Sequence, residues 1–383
     1  MGRLKATVLM LSLVTVMAGA AVAPALGPIG EYFSNADPLL IKMIVTLPSL
    51  FIIFTSLLFN VIAGRLNAKT IAILGLVLYI AGGCGAGFAD SVYMILVYRS
   101  ILGVGVGLVM PLSTGLIGYF FDKKEQSKLM GYSSAMNNLG GIIALALSGL
   151  LVSVNWRYSF AIYLLGLAVL IMVIRFLPGE KKTDGTKKGI DKDSVRKILP
   201  YGAMMFLGMI VFYAAPSNFS MVMTQESLVP VSMIGLLMSV LNVTSFIIGL
   251  VLSAVVKKLG RTTKYFAPGM MAAGFFSLTF SGNIAAVIFG MFAIGVGVGI
   301  LTPLMFSQIS FHVDKEKMTA AMSVMSAMLY LGQFLSPILI DGLQSLLHLQ
   351  TLQTPFYIAM ALAAVLMAGL TRVPVYTAGN EPG

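Results

Sequence analysis

The chain has 383 residues, of which 58% are hydrophobic and only 10% charged, with a mean hydropathy of +0.94. Soluble domains carry about 25% charged residues, so a soluble globule is excluded. The net charge of +11 does not point to nucleic acid, because the basic residues fall in short gaps between apolar runs, and mostly in alternate gaps. That pattern orients a protein in a membrane.

A helix that crosses a bilayer needs about 20 mostly apolar residues. Twelve such runs follow one another, at 6–29, 38–63, 70–88, 92–121, 128–152, 158–177, 199–223, 231–255, 264–280, 284–311, 318–343 and 355–373. The opening residues, "MGRLK", an apolar stretch and "AVAPA", imitate a cleavable signal peptide. Cleavage would leave unequal halves, so this run is expected to remain as the first helix. The fourth and tenth runs are long enough to tilt or protrude. Residues 178–198, "PGEKKTDGTKKGIDKDSVRKI", are polar and rich in Lys, and are expected to link a first bundle, 1–177, to a second, 199–383. With the N-terminus inside, all of the 25 basic residues except Lys42, Arg99 and Arg157 fall on one side. Both termini and the linker are therefore expected in the cytoplasm, with the chain in the cell membrane. Cys84, the single cysteine, excludes an internal disulfide and any cysteine-based metal cluster, and its apolar setting indicates packing.

Two near-identical decamers organise the chain. "GVGVGLVMPL" begins at Gly103 and "GVGVGILTPL" at Gly295, 192 residues later. The same offset relates Asp122 and Lys123 to Asp314 and Lys315, and Ser134, Ala135, Met136, Leu139 and Gly140 to Ser326, Ala327, Met328, Leu331 and Gly332. Gene duplication is the simplest source of a shared offset across two helices and a loop. A phosphate-binding loop is excluded, because no Gly-Lys-Ser/Thr follows either copy. Gly103, Gly107, Pro111 and Gly115 share one helix face, where small residues let helices approach closely in lipid. Pro111 and Pro303 would bend or loosen their helices.

Two six-helix halves with a basic linker resemble the major facilitator superfamily of secondary transporters. The family's fourth-helix pattern, Arg-x-x-x-Gly-x-Gly-x-Gly, stands here as Arg99, Gly103, Gly105 and Gly107. Its loop between the second and third helices matches at Gly64, Arg65 and Leu66, but Ala68 replaces the usual Asp; "KKLGR", with Gly260 and Arg261, echoes it in the second half. The fifth helix resembles drug-exporting members at Gly131, Gly140 and Gly149, with Ala144 and Leu145 in place of the central Gly-Pro; "WRYSF", Trp156 to Phe160, is similar to such exporters too. The resemblance implies an all-α membrane protein of twelve transmembrane helices in two pseudo-symmetric bundles. It also implies a solute site between the halves and alternating access by rocking. Gating is expected at Gly64, Arg65, Gly103, Gly107, Pro111, Gly140, Gly295, Gly299 and Pro303.

Arg99 lies seven residues into its span, about 10 Å along the helix. A buried Arg in lipid must face protein or water, so it is expected to bind substrate or take part in coupling; the alternative is an Arg that bonds carbonyls. Its counterpart, Met291, is uncharged. Asp341 is a candidate for carrying a coupling proton, or an interfacial acid in water. Glu31, Asp37 and Glu226 read as solvated loop acids. Asn137, Asn138, Asn242, Tyr330 and Gln333 are polar at mid-depth, where an amide must find partners in helix neighbours or in a solute. Met325, in a stripe with Met318, Met322 and Met328, and Tyr213, beside Phe212 and the methionines 204, 205 and 209, suit varied apolar ligands.

These residues give two functional readings. One is an exporter of amphipathic or drug-like compounds in exchange for protons. The other is an uptake permease or facilitator for a small polar or anionic metabolite, with Arg99 against its carboxylate. Neither needs a cofactor, a metal or nucleic acid, and a single chain in the bilayer is expected to suffice. The two histidines, His312 and His348, lie at span ends, and no catalytic constellation is visible.

Overall fold

The computed structural model describes residues 2–179, 191–226, 229–314, 317–349 and 351–375. Twelve long helices follow in order: α1 (Gly2–Ala20), α2 (Pro38–Ala63), α3 (Ala68–Gly85), α4 (Val92–Phe120), α5 (Lys123–Val152), α6 (Leu165–Phe176), α7 (Lys192–Glu226), α8 (Val231–Leu259), α9 (Thr263–Leu278), α10 (Ile284–Ser307), α11 (Met318–Leu346) and α12 (Thr354–Arg372). Eleven continuous apolar stretches among the described residues are long enough to cross a membrane. One of them, Val231–Leu278, has 48 residues, which would extend about 72 Å against a hydrocarbon core of about 30 Å. It turns at Gly260, whose φ of +52° suits glycine, and so contributes two crossings, α8 and α9.

The element ends depart from the apolar runs for local reasons. The first run is not one helix: α1 stops at Ala20, Pro24 opens a 3₁₀ turn at Ala23–Ala25, and a short helix covers Leu26–Tyr32. The sixth crossing opens as a 3₁₀ stretch, Trp156–Leu164, before α6 begins. The tenth run breaks after Ser307 and resumes as a short helix, Ile309–His312. Residues 192–198, expected in the linker, are the first turns of α7. Asp191 starts that helix: its carboxylate accepts from the Ser194 hydroxyl at 2.6 Å and pairs with Lys317 at 2.7 Å. These partners, Lys317 first, hold the Asp191 carboxyl well below the usual carboxylate range. Its contribution is thus present above the ordinary carboxylate pKa and is lost only in strong acid. The remaining linker residues, 180–190, lie outside the described residues.

Two compact units form: Met1–Gly185 with Val229–Ser239, and Thr186–Leu228 with Val240–Gly383. Inside the first, α4 packs on α2 and α3, α1 on α5, and α3 on α6; inside the second, α9 packs on α10 and α12, and α7 on α11. Glycine contacts show the same construction in each. A Cβ on Gly105 would stand 2.6 Å from both Gly75 O and Tyr79 N; on Gly297 it would meet Ala267 O at 2.7 Å and Met271 N at 3.2 Å. Both sets of neighbours are 192 residues apart, as the glycines are. Gly103 lies against Pro48 O and Gly295 against Leu241 O, and Gly140 lies against Leu13 O as Gly332 does against Phe206 O. In these last pairs the partner helix is shifted by one residue, to an offset of 193. Gly115 and Gly131 meet open space, so the close-packed stripe of α4 does not reach Gly115.

This packing distinguishes glycines that look alike. Gly103→Ala drives a methyl to within 2.6 Å of Pro48 O and is expected to cost about 1–3 kcal/mol. Gly115→Ala is expected to stay within about 0.5 kcal/mol. Thermal unfolding of the two variants in detergent separates them, and equal shifts would contradict the packing.

Candidate functional site

Arg99 is completely buried. Its Nε donates to Ile44 O at 2.6 Å, Nη1 to Tyr163 Oη at 2.6 Å, and Nη2 to Ala18 O at 2.7 Å. Tyr163 Oη also donates to Ala18 O, at 2.7 Å. Each acceptor carbonyl has a reason to need a donor. Ala18 is in the last turn of α1, where carbonyls have no intrahelical partner. Ile44 is four residues before Pro48, which has no N–H to return to it. Arg99 thus serves one carbonyl freed by a helix end and another freed by a proline. This corrects the expectation of a guanidinium presented to a solute: the geometry is that of the alternative, an Arg bonding carbonyls.

The second unit supports this assignment. At the offset of 193 fixed by the glycine contacts, Leu241 stands where Pro48 does, so Leu237 keeps its helical N–H donor. Met291, 1% exposed, then fills the place of Arg99. Proline and arginine stand at these two places together in one unit, and neither stands at the equivalent places of the other.

The seam between α1 and α5 is polar. Ser12 and Ser133 hydroxyls bond at 2.6 Å, and Thr15 Oγ1 is 3.0 Å from Asn137 Oδ1 and 2.7 Å from Ser12 O. Asn137 and Asn138 are half-buried, and Asn138 Nδ2 donates to Ser134 O at 3.0 Å. At the equivalent places of the α7–α11 seam, Ser12 becomes Met205 and Ser133 becomes Met325, both completely buried. Met325 and Met328 pack over Gly202, and Met209 over Gly332. Met325 is therefore a core residue in this structure, not the lining residue expected; Tyr213, Tyr330 and Asn242 are half-buried, and Gln333 is 9% exposed. Asn137 and Asn138 thus share one unit's seam, while Tyr213, Asn242, Tyr330 and Gln333 lie in the other unit.

The remaining candidates lie at helix ends or within helices. Gly64 and Arg65 are exposed, next to Asn67, whose side chain accepts from Thr70 N at 2.8 Å and starts α3. Pro111 and Pro303 sit inside continuous helices; Gly107 lies beside Thr55 and Gly299 beside Ser245. Asp341 is half-buried near the end of α11. Glu226 is not a solvated loop acid: its Oε1 accepts from Ser281 Oγ at 2.7 Å and Gln353 Nε2 at 2.6 Å. It ties the end of α7 to the α9–α10 turn and to the residue before α12. Ser281 is 192 residues after Ala89. In the first unit, Arg157 Nη1 bonds Ala89 O at 2.7 Å and Gly87 O at 3.0 Å, with its guanidinium 4.6 Å from the Trp156 ring.

The family model of the Major Facilitator Superfamily matches residues 8–337, and again 201–382. The multidrug transporter protein MdtP of Bacillus subtilis is 29% identical over 32% of this chain, which spans only 23% of that relative's length. YceJ of the same organism, an uncharacterized transporter of this type, is 27% identical over 72% of this chain and 73% of its own length. The crystal structure of a mutant of the nucleoside transporter NupG is similar in fold, with a TM-score of 0.80 at 12% identity, covering 96% of this chain and 99% of that one.

The frame role of Arg99 has a measurable signature. Arg99→Met is expected to destabilise the protein by about 1–3 kcal/mol for each acceptor left without a donor. With Pro48→Ala in place, Ile44 O recovers an N–H, and the cost of Arg99→Met should fall by about 1–3 kcal/mol. A double-mutant cycle on thermal unfolding reads this coupling. An unchanged cost would separate Arg99 from Pro48.

Proposed function

The chain belongs to the Major Facilitator Superfamily and is a multi-pass membrane transporter of small molecules, not an enzyme; we propose that it exports amphipathic, drug-like compounds in exchange for protons, by alternating access. The observation that carries this reading is the chemical contrast between two equivalent seams. One offers hydroxyl and amide groups from Thr15, Asn137 and Asn138. The other offers methionine and aromatic surface around Met328, Phe212 and Tyr213. A solute with a polar end and an apolar body suits both, and methionine adapts to bodies of different shape. The likeness to a multidrug transporter over part of the chain supports the same direction.

In this reading Asn137, Asn138, Tyr213, Asn242, Tyr330 and Gln333 line the solute path, and Asp341 carries the proton. The glycines and prolines of α4 and α10 let the helices move while closely packed. Residues 1–177 and 199–383 act as the two moving halves, with the 178–198 segment and both termini in the cytoplasm. An uptake permease for an anionic metabolite loses its anchor, since the acceptors of Arg99 are protein groups.

Reconstituted vesicles test the proposal. A cationic amphipathic dye should move in the direction opposite to protons flowing down an imposed gradient, with a change in lumenal pH that Asp341→Asn abolishes. Dye movement with a flat pH trace would reject coupling. Transport of small acids or sugars, with none of the dye, would reject the cargo class.

A further inference from the structure

α8 and α2 occupy equivalent places, each packed against a glycine-bearing helix. α10 meets α8 at Leu241, Ser245 and Ile248, and α4 meets α2 at Pro48, Ile52 and Thr55, all at the offset of 193. The far side of each helix is exposed and apolar. On α8 it consists of Ile247, Leu250, Val251 and Ala254; on α2 it consists of Phe54, Leu57, Leu58 and Val61, residue for residue at the same offset. Such a face on a membrane-spanning helix is turned to acyl chains.

The two helices end differently. α2 stops at Ala63, before Gly64 and Arg65, whereas α8 continues to Leu259, before Gly260 and Arg261. The Gly-Arg pair thus follows at an offset of 196, which makes α8 longer by about one turn. Lys257 and Lys258 continue its apolar face, ten and eleven residues after Ile247. This end of the second unit therefore holds Lys257, Lys258 and Arg261 where the first holds Arg65 alone. The lysines that begin the next helices behave alike in both units: Lys69 Nζ donates to Ile174 O at 2.7 Å, and Lys264 Nζ to Val373 O at 3.2 Å, at the ends of α6 and α12. Lys257 and Lys258 are exposed and in no ion pair among the described residues. The sequence from 227 to 313 contains no Asp or Glu.

We propose that this end of α8 binds an anionic phospholipid, with the phosphate against Lys257 and Lys258 and the acyl chains along Ile247, Leu250, Val251 and Ala254. The lengths agree. Ile247 is about 16 Å from Lys258 along the helix, and one leaflet of hydrocarbon is about 15 Å deep. α9 adds Phe266, which is exposed, and Tyr265, whose ring lies 5.0 Å from Lys264 Nζ; aromatic groups suit the boundary between headgroups and chains. Lysines in the last turn of a helix also face its carbonyl dipoles. That role does not depend on the charge of a lipid, so a lipid titration separates the two.

Native mass spectrometry of the full chain in non-ionic detergent, titrated with phosphatidylglycerol or with phosphatidylcholine of the same chains, tests the site. Phosphatidylglycerol should bind more tightly. Lys257→Gln with Lys258→Gln should weaken its binding about 25-fold, roughly fivefold per lysine, and leave phosphatidylcholine unchanged; Lys257→Arg with Lys258→Arg should keep the affinity. Lys192→Gln with Lys197→Gln, which removes the same charge from exposed places on α7, should bind as the unmodified protein does. Equal affinity for the two lipids, full affinity in the double Gln variant of α8, or an equal loss in the α7 variant would overturn the proposal. So would displacement of the lipid by an equal concentration of glycerol phosphate, which would make the ligand a free phosphate.

Discussion

A backbone carbonyl without a protein donor is satisfied where water reaches it and is expensive in a packed interior or in hydrocarbon, and this chain creates such carbonyls wherever a helix stops or a proline interrupts it. The first unit resolves two of them with one side chain. Ala18 O and Ile44 O come from different helices and lose their partners for different reasons. Arg99 reaches both from a third helix, and Tyr163 joins from the sixth crossing. Four segments are thereby held at one point. The cost of burying the charge is offset by acceptors aimed at three different nitrogens of the guanidinium. This is also why the methionine in the second unit is no loss: without a proline at Leu241, there is less for an arginine to do.

Duplication fixed the scaffold and left the chemistry free. The glycine contacts are the invariant part, because a close backbone approach tolerates no side chain, and so Gly82, Gly105 and Gly140 have counterparts with counterpart neighbours. Polar fastenings were replaced at the same places. A guanidinium stacked on indole ties one end of the first unit, where a carboxylate with a hydroxyl and an amide ties the second. A transporter benefits from that freedom, since two chemically different surfaces can be presented by one architecture.

Much of the fold was legible because its signals are local. Twelve apolar runs and a repeated decamer need only neighbours in sequence, and α2 runs over the expected 38–63. What escaped depends on distance. Arg99 could be read as buried and costly, but not as the partner of Ile44, which is 55 residues away; Pro48 was the available clue, as it frees the carbonyl four residues earlier. Glu226 looked like a loop acid because its partners lie 55 and 127 residues further on. Met325 shares a helix face with three other methionines, and periodicity alone cannot say which of them a neighbouring helix covers. The Lys-rich composition of 192–198 concealed a helix that Asp191 and Ser194 begin.

The seams also differ mechanically. A hydroxyl pair 2.6 Å apart is a pin: sliding α1 along α5 by a fraction of a turn breaks it. Two thioethers in the same place, each with three rotatable bonds and no preferred direction of contact, form a bearing. The bearing has an end: one residue past Met209, Ser336 Oγ donates to Ile210 O at 2.7 Å, so the second seam is pinned there, and the methionine contacts occupy the stretch of α7 from Gly202 to Met209.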